Sequence, residues 1–111
     1  MERRREPRLG LRCPIHYRLL GRRGEGRSVT VDVSARGARF RTVSWRMLRP
    51  GDRLEVTLTV PAAPAVAGGG GIDLVGRGRI VRVEPGVTEE QLEPGGVAIE
   101  FESPLNLTSI L

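Results

Sequence analysis

"SVTVDVSARGARFRT", residues Ser28 to Thr42, is the stretch whose reading decides how this chain folds. Its first limb alternates, with Val29, Val31 and Val33 on one side and Thr30, Asp32 and Ser34 on the other. A period of two is the mark of a half-buried strand. "ARG" (35–37) supplies a turn, and Gly37 can take a positive φ there. The second limb places Ala38 and Phe40 on one face and Arg39 and Arg41 on the other. The whole reads as a hairpin. With Val31 and Val33 in a core, Asp32 and Ser34 point to the outside.

The same alternation recurs along the chain. Leu54, Val56, Leu58 and Val60 stand against Glu55, Thr57 and Thr59, after a "PGD" turn at 50–52. Val97, Ile99 and Phe101 stand against Ala98, Glu100 and Glu102. Further strands are predicted at about 12–20 and 74–84. Six short strands, each with one apolar face, must close around a core, so an all-β antiparallel barrel or sandwich is expected. "PAAPAVAGGGG" (61–71) is low in complexity and reads as a flexible hairpin loop. "VTEEQLEPGG" (87–96) reads as a second loop with one helical turn. At the C-terminus "SPLNLTSIL" (103–111) suggests a short helix, with Ser103 as N-cap and Pro104 at its first position.

A length of 111 residues suits one domain, 1–111, with a modest core. No apolar run approaches the roughly 20 residues a membrane helix needs, and the charged N-terminus is unlike a secretory signal. One cysteine, Cys13, allows no internal disulfide, which fits a cytoplasmic setting. The net charge is +5, and all 18 basic residues are arginine. Either the coding composition favours arginine throughout, or its flat fork is kept because it grips phosphate and base edges in two-pronged fashion. The excess calls for an anionic partner.

No enzyme is expected. His16 is the one histidine, Cys13 has no histidine beside it in sequence, and no Cys/His set has metal-ligand spacing. "GGGG" (68–71) is followed by no lysine, so it is no phosphate loop, and Glu89 and Glu90 read as a solvated pair. Trp45, ahead of the middle strand, is expected as a lid on the core.

The arginines cluster in "RRREPR" (3–8), at the start of an arm spanning 1–11. Taken alone, this is a solvated basic arm. Pro7 stiffens it and disfavours helix at Glu6, so the arginines are expected on an extended or turned segment that can fold onto a neighbouring surface. Taken alone, Asp32 and Ser34 are turn formers.

Together the two stretches resemble the PilZ domain family of bacterial cyclic di-GMP receptors. That family carries an N-terminal RxxxR, here Arg4 to Arg8 with Arg3 before it, and a D/NxSxxG, here Asp32-Val33-Ser34-Ala35-Arg36-Gly37. "PGDRLEVTLTVP", "GRGRIVRVEPG" and "GGVAIEFES" also look like its later strands. The resemblance implies a six-stranded antiparallel β-barrel with cyclic di-GMP on its outer face and the arginine arm as clasp. It implies that Arg3, Arg4 and Arg8 bind guanine and phosphate. Asp32 then accepts from guanine N1–H and N2–H₂ or holds an arginine in place, Ser34 donates, and Gly37 allows close approach. Where relatives stack an aromatic or cationic residue on the guanine, this chain has Arg82. No further cofactor, no metal and no DNA or RNA are expected. The expected partner is another protein, and the chain is expected as a monomer or weak dimer. Two alternatives stand beside this reading: a PilZ-like interaction module without ligand, and a basic barrel for single-stranded nucleic acid. An aromatic content of 4% speaks against the second, which needs stacking platforms.

Overall fold

The computed structural model describes residues 10–61, 71–86 and 93–104. They form six strands: β1 (Pro14–Leu19), β2 (Glu25–Ser34), β3 (Gly37–Thr42), β4 (Arg53–Pro61), β5 (Gly71–Glu84) and β6 (Gly95–Phe101). A 3-10 turn, Val43–Met47, joins β3 to β4. All pairings are antiparallel, and the order β1-β2-β3-β6-β5-β4 closes into a barrel. Closure gives every described strand a partner on both sides over at least part of its length. The expected barrel and its strands are thus present. The expected C-terminal helix is not among the described elements, since all but its first two residues lie outside the described residues. So do most of the 61–71 loop, most of the 87–96 loop, and Glu89 and Glu90.

Ile15, Tyr17 and Leu19 of β1, Leu54, Val56, Leu58 and Val60 of β4, and Val97, Ile99 and Phe101 of β6 fill the interior. Tyr17 and Phe40 meet at the centre, with ring centroids 5.3 Å apart. Trp45 lies partly buried against this core, its indole N–H donating to the Glu93 carbonyl at 2.9 Å, so it caps the barrel as expected.

Alternation in β2 does not run as the sequence suggests. Val29 and Val31 are exposed, while Thr30 is buried. Thr30 can face inward because its hydroxyl is satisfied. It donates to the Leu11 carbonyl at 2.6 Å and accepts from the Cys13 N–H at 2.8 Å, tying the chain before β1 to β2. The phase then changes at Val31. Thr30 pairs with Phe40 and Asp32 with Arg39, so Val31 is the extra residue of a β-bulge. Beyond it Val33 points inward and is fully buried. β5 carries a matching bulge: Ile80 pairs with Ile99 and Arg82 with Ala98, leaving Val81 unpaired and exposed. The bulge also accompanies a local change of partner, because the Ile80 N–H and C=O bond Asp52 O (2.8 Å) and Gly51 N (2.7 Å).

That 48–52 turn is anchored by charge. Asp52 Oδ2 accepts from Arg22 Nη2 at 2.6 Å and from the Arg49 N–H at 2.9 Å. Burial pushes the Asp52 carboxyl up, but these hydrogen bonds and the two arginine charges outweigh it and hold the carboxyl below its ordinary value of 3.8. The stabilisation is therefore complete above that value and is lost as pH falls through the folded one. Urea unfolding from about pH 5 down to about pH 2 should show stability falling with acid, and Asp52→Asn should flatten that limb.

Candidate functional site

The two bulges decide what the outside of the barrel presents. Without them, regular alternation from Thr30 and from Ile80 would turn Asp32 and Arg82 inward. With them, both turn outward, into one row. Asp32 on β2 pairs with Arg39 on β3, Arg39 with Ala98 on β6, and Ala98 with Arg82 on β5. The rows on either side, Thr30-Phe40-Val97-Val83 and Val33-Ala38-Ile99-Ile80, face the core. Bulges often re-aim a side chain beside a functional site.

Asp32 is only 7% exposed although it lies on the outer side of the sheet. Arg39 covers it. Arg39 Nε donates to Asp32 Oδ2 at 2.8 Å, and Nη2 donates to the same oxygen. The hydrogen bond to Asp32, reinforced by the carboxylate's charge, raises the guanidinium pKa above its already high value. Arg39 and Arg41 project outward as the alternation predicts, but nothing local in sequence marks Arg39 as the partner of Asp32. That pairing follows from a cross-strand register set by a bulge.

Ser34 and Gly37 form the next outward row, continued by Glu100 and Arg79. Ser34 Oγ accepts from the Arg36 N–H at 3.3 Å, so the turn-forming role expected of it is present. Neither turn residue has a positive φ, and neither does Gly37. The expectation of a left-handed glycine is therefore corrected. The glycine is needed for a different reason: a Cβ at 37 would lie well inside 3.0 Å of the Ile99 carbonyl oxygen. β3 and β6 approach closely there, backbone against backbone.

With glycine or alanine at 37, 96 and 98, the middle of this face is low. Two adjoining hollows of about 140 Å³ each result, and Arg39 and Ala98 line both. One also borders Arg41, Glu84 and Gly96. The other borders Ser34, Arg36, Gly37 and Glu100. Arg82 stands beyond Ala98, its Nε 3.6 Å from Glu84 Oε1. That pair is exposed on both sides and so contributes little. A larger hollow of about 370 Å³ lies over β4, β5 and β6. There Arg53 donates to both Glu102 oxygens (3.0 and 2.9 Å) and Arg79 faces Glu100 at 3.9 Å.

Asp32, Ser34, Gly37 and Arg82 are thus brought together on one face. Arg3, Arg4 and Arg8 lie outside the described residues. His16 pairs with Glu25 at 2.9 Å. Cys13 is fully buried, and burial raises its thiol pKa against the opposing hydrogen bond from Thr30, which suits a core residue and not a nucleophile. Among the described residues no group of His, Cys, Asp and Glu could hold a metal, and no helix is long and apolar enough to cross a membrane.

A search of curated protein sequences found no match. Among solved structures, the chain is similar to the Bacillus subtilis inhibitor of motility MotI/DgrA, with a TM-score of 0.70 and 12% identity over 95% of this chain. The alignment spans 44% of that protein. It is also similar to the PilZ domain of YcgR from Escherichia coli, solved with c-di-GMP. There the TM-score is 0.60 and the identity 17%, over 96% of this chain and 81% of the other. At such identities the likeness shows the barrel alone. The PilZ domain family model, in contrast, matches the sequence itself from residue 2 to residue 110, and the chain belongs to the PilZ domain family.

Proposed function

We propose that this PilZ domain is a cyclic di-GMP receptor whose N-terminal arginine arm closes on the outer face of β2, β3, β6 and β5 and passes the signal to a partner protein. The observation that carries this reading is the single face holding Asp32, Ser34, Gly37 and Arg82, in a chain that also bears RxxxR at Arg4–Arg8. PilZ domains are regulatory binding modules, and the YcgR domain was solved with this ligand. The chemistry is complementary. Cyclic di-GMP carries two phosphate charges and two guanines, each with O6 and N7 as paired acceptors for an arginine fork. Arg4 and Arg8, helped by Arg3, supply forks from the arm, and Arg82 supplies a flat cation able to stack on a base. Four or five charge-assisted bonds at roughly 1.5–3 kcal/mol each, less the cost of ordering the arm, reach about −8 kcal/mol, a micromolar Kd. Closure of the arm alters the surface offered to a cytoplasmic partner.

Calorimetric titration with cyclic di-GMP, against GMP and GTP, tests this. Wild type should bind the cyclic dinucleotide at micromolar Kd or tighter. Arg4→Ala and Asp32→Ala should each weaken binding about tenfold or more, since each removes a charged group from the proposed site. Variants that bind as well as wild type would sink the site assignment. A ligand at 100 times Kd should also stabilise the fold by about 2.7 kcal/mol. No heat-stability shift at saturation would favour a ligand-free interaction module instead.

A further inference from the structure

We propose that Arg39 reads a guanine on this face, and that Asp32 acts through it as a positioning residue without meeting the base itself. The inference rests on the cyclic di-GMP reading and assigns a residue outside both family motifs.

Four observations converge on it. First, access: the Asp32 side chain is 10% exposed, whereas the Arg39 side chain paired with it is 44% exposed. A base arriving from solvent meets the guanidinium before the carboxylate. Second, valence: Asp32 Oδ2 occupies the side-on edge of Arg39, taking Nε and one Nη2 proton. The end-on edge, Nη1 and the other Nη2 proton, is not used by this contact. That edge is a two-pronged donor, and guanine O6 and N7 are a two-pronged acceptor. Third, rigidity: arginine loses much rotamer freedom when it binds, and a fork already fixed by a buried carboxylate has lost that freedom in advance. Fourth, room: Arg39 borders both hollows, and its neighbour in the row is Ala98, so a flat ring can lie beside it. Arg82 stands on the far side of Ala98, two strand spacings or about 10 Å from Arg39 along the row. A purine over Ala98 therefore sits between two guanidinium groups, one fixed by a buried carboxylate and one exposed.

If Asp32 were the base-reading group, Arg39 would be a competitor for its carboxylate, and removing Arg39 would tighten binding. The two arrangements predict opposite signs. The test is calorimetry on the full chain with cyclic di-GMP and with cyclic di-AMP, using Arg39→Leu, Arg39→Lys, Asp32→Asn and the Asp32→Asn/Arg39→Leu double variant. Thermal melts establish that each is folded. A bidentate arginine–guanine pair is worth about 1–3 kcal/mol of base discrimination, so Arg39→Leu should weaken cyclic di-GMP binding roughly 10- to 100-fold. It should weaken cyclic di-AMP binding much less, shrinking the preference for guanine. Arg39→Lys keeps the charge without the fork and should not rescue. Asp32→Asn should weaken binding in the wild-type background and have no further effect once Arg39 is leucine.

Tighter binding by Arg39→Leu, unchanged binding by it, or an Asp32→Asn loss of equal size in both backgrounds would each overturn the inference while leaving the receptor reading intact. Should Arg39→Leu fail to fold, Arg39→Lys decides, and wild-type affinity for it would be fatal. A wild-type protein that binds no cyclic di-GMP would overturn both readings at once.

Discussion

Gly37→Ala is expected to lower the melting temperature by roughly 10–20 °C, which corresponds to about 3 kcal/mol of overpacking in a domain of this size. The new Cβ would lie well inside 3.0 Å of the Ile99 carbonyl oxygen. A carbonyl within a sheet cannot swing aside as a side chain can. Ala38 pairs with Ile99 on one side of the contact, and the Phe101 N–H donates to Arg36 O at 2.7 Å on the other. To admit the methyl, β3 must move away from β6 at the place where the barrel is closed by that pairing. Gly96→Ala is the control, because Gly96 lies on the same two-strand ladder. A Cβ there meets nothing closer than Glu84 Oε1 at 3.5 Å, an ordinary contact with a flexible side chain. That variant should be neutral or gain a few tenths of a kcal/mol from reduced chain entropy. Thermal unfolding followed by circular dichroism compares the two, and equal shifts would show that strand contact at Gly37 is not what demands glycine. Widening the β3–β6 gap also moves Arg39 relative to Ala98, so Gly37→Ala should weaken ligand binding even below its melting range.

How far the sequence discloses this fold depends on whether a strand is regular. Leu54 to Val60 carries no bulge, and its alternation reads directly as four buried and three outward residues. Ala38 to Arg41 is equally plain. β2 reads correctly only from Asp32 onward, because the residue that shifts the phase, Val31, is as apolar and β-branched as its core neighbour Val33. Val81 hides the second bulge in the same way. A bulge depends on how two strands meet, and no local residue type announces it. The placement of Asp32 outward was nonetheless legible, since the hairpin fixes the phase next to Gly37. Arg39 was legible as an outward residue but not as the cover of Asp32, which needs the register. Gly37 stands out as a turn glycine, yet what constrains it is a carbonyl on β6, far away in sequence. The cluster of arginines at 3–8 and its RxxxR are visible in the sequence without any structure.

The bulge at Val31 yields a prediction that no regular strand can satisfy. Val31 and Val33 are two apart, so in any unbroken alternation they share a face and aspartate at either position must have the same effect. In this barrel they do not share a face. Val33 is fully buried between the sheet and the core, where a carboxylate would find water excluded and apolar neighbours on all sides. An unpaired buried charge costs several kcal/mol, against a total stability of about 5–15 kcal/mol for a typical domain. Val33→Asp should therefore leave the chain unfolded or lower its melting temperature by more than about 20 °C. Val31 is 46% exposed and borders the hollow formed with Arg39, Arg41 and Glu84. Aspartate there stays in water, gains attraction from two arginines and meets repulsion from one glutamate, so its effect should stay within about 1 kcal/mol. Denaturant unfolding of both variants decides the matter, and equal destabilisation would mean that β2 is regular. A regular β2 in phase with Thr30 would turn Asp32 inward, away from Arg39. The same pair of variants that tests the strand thus tests whether the face has its carboxylate at all.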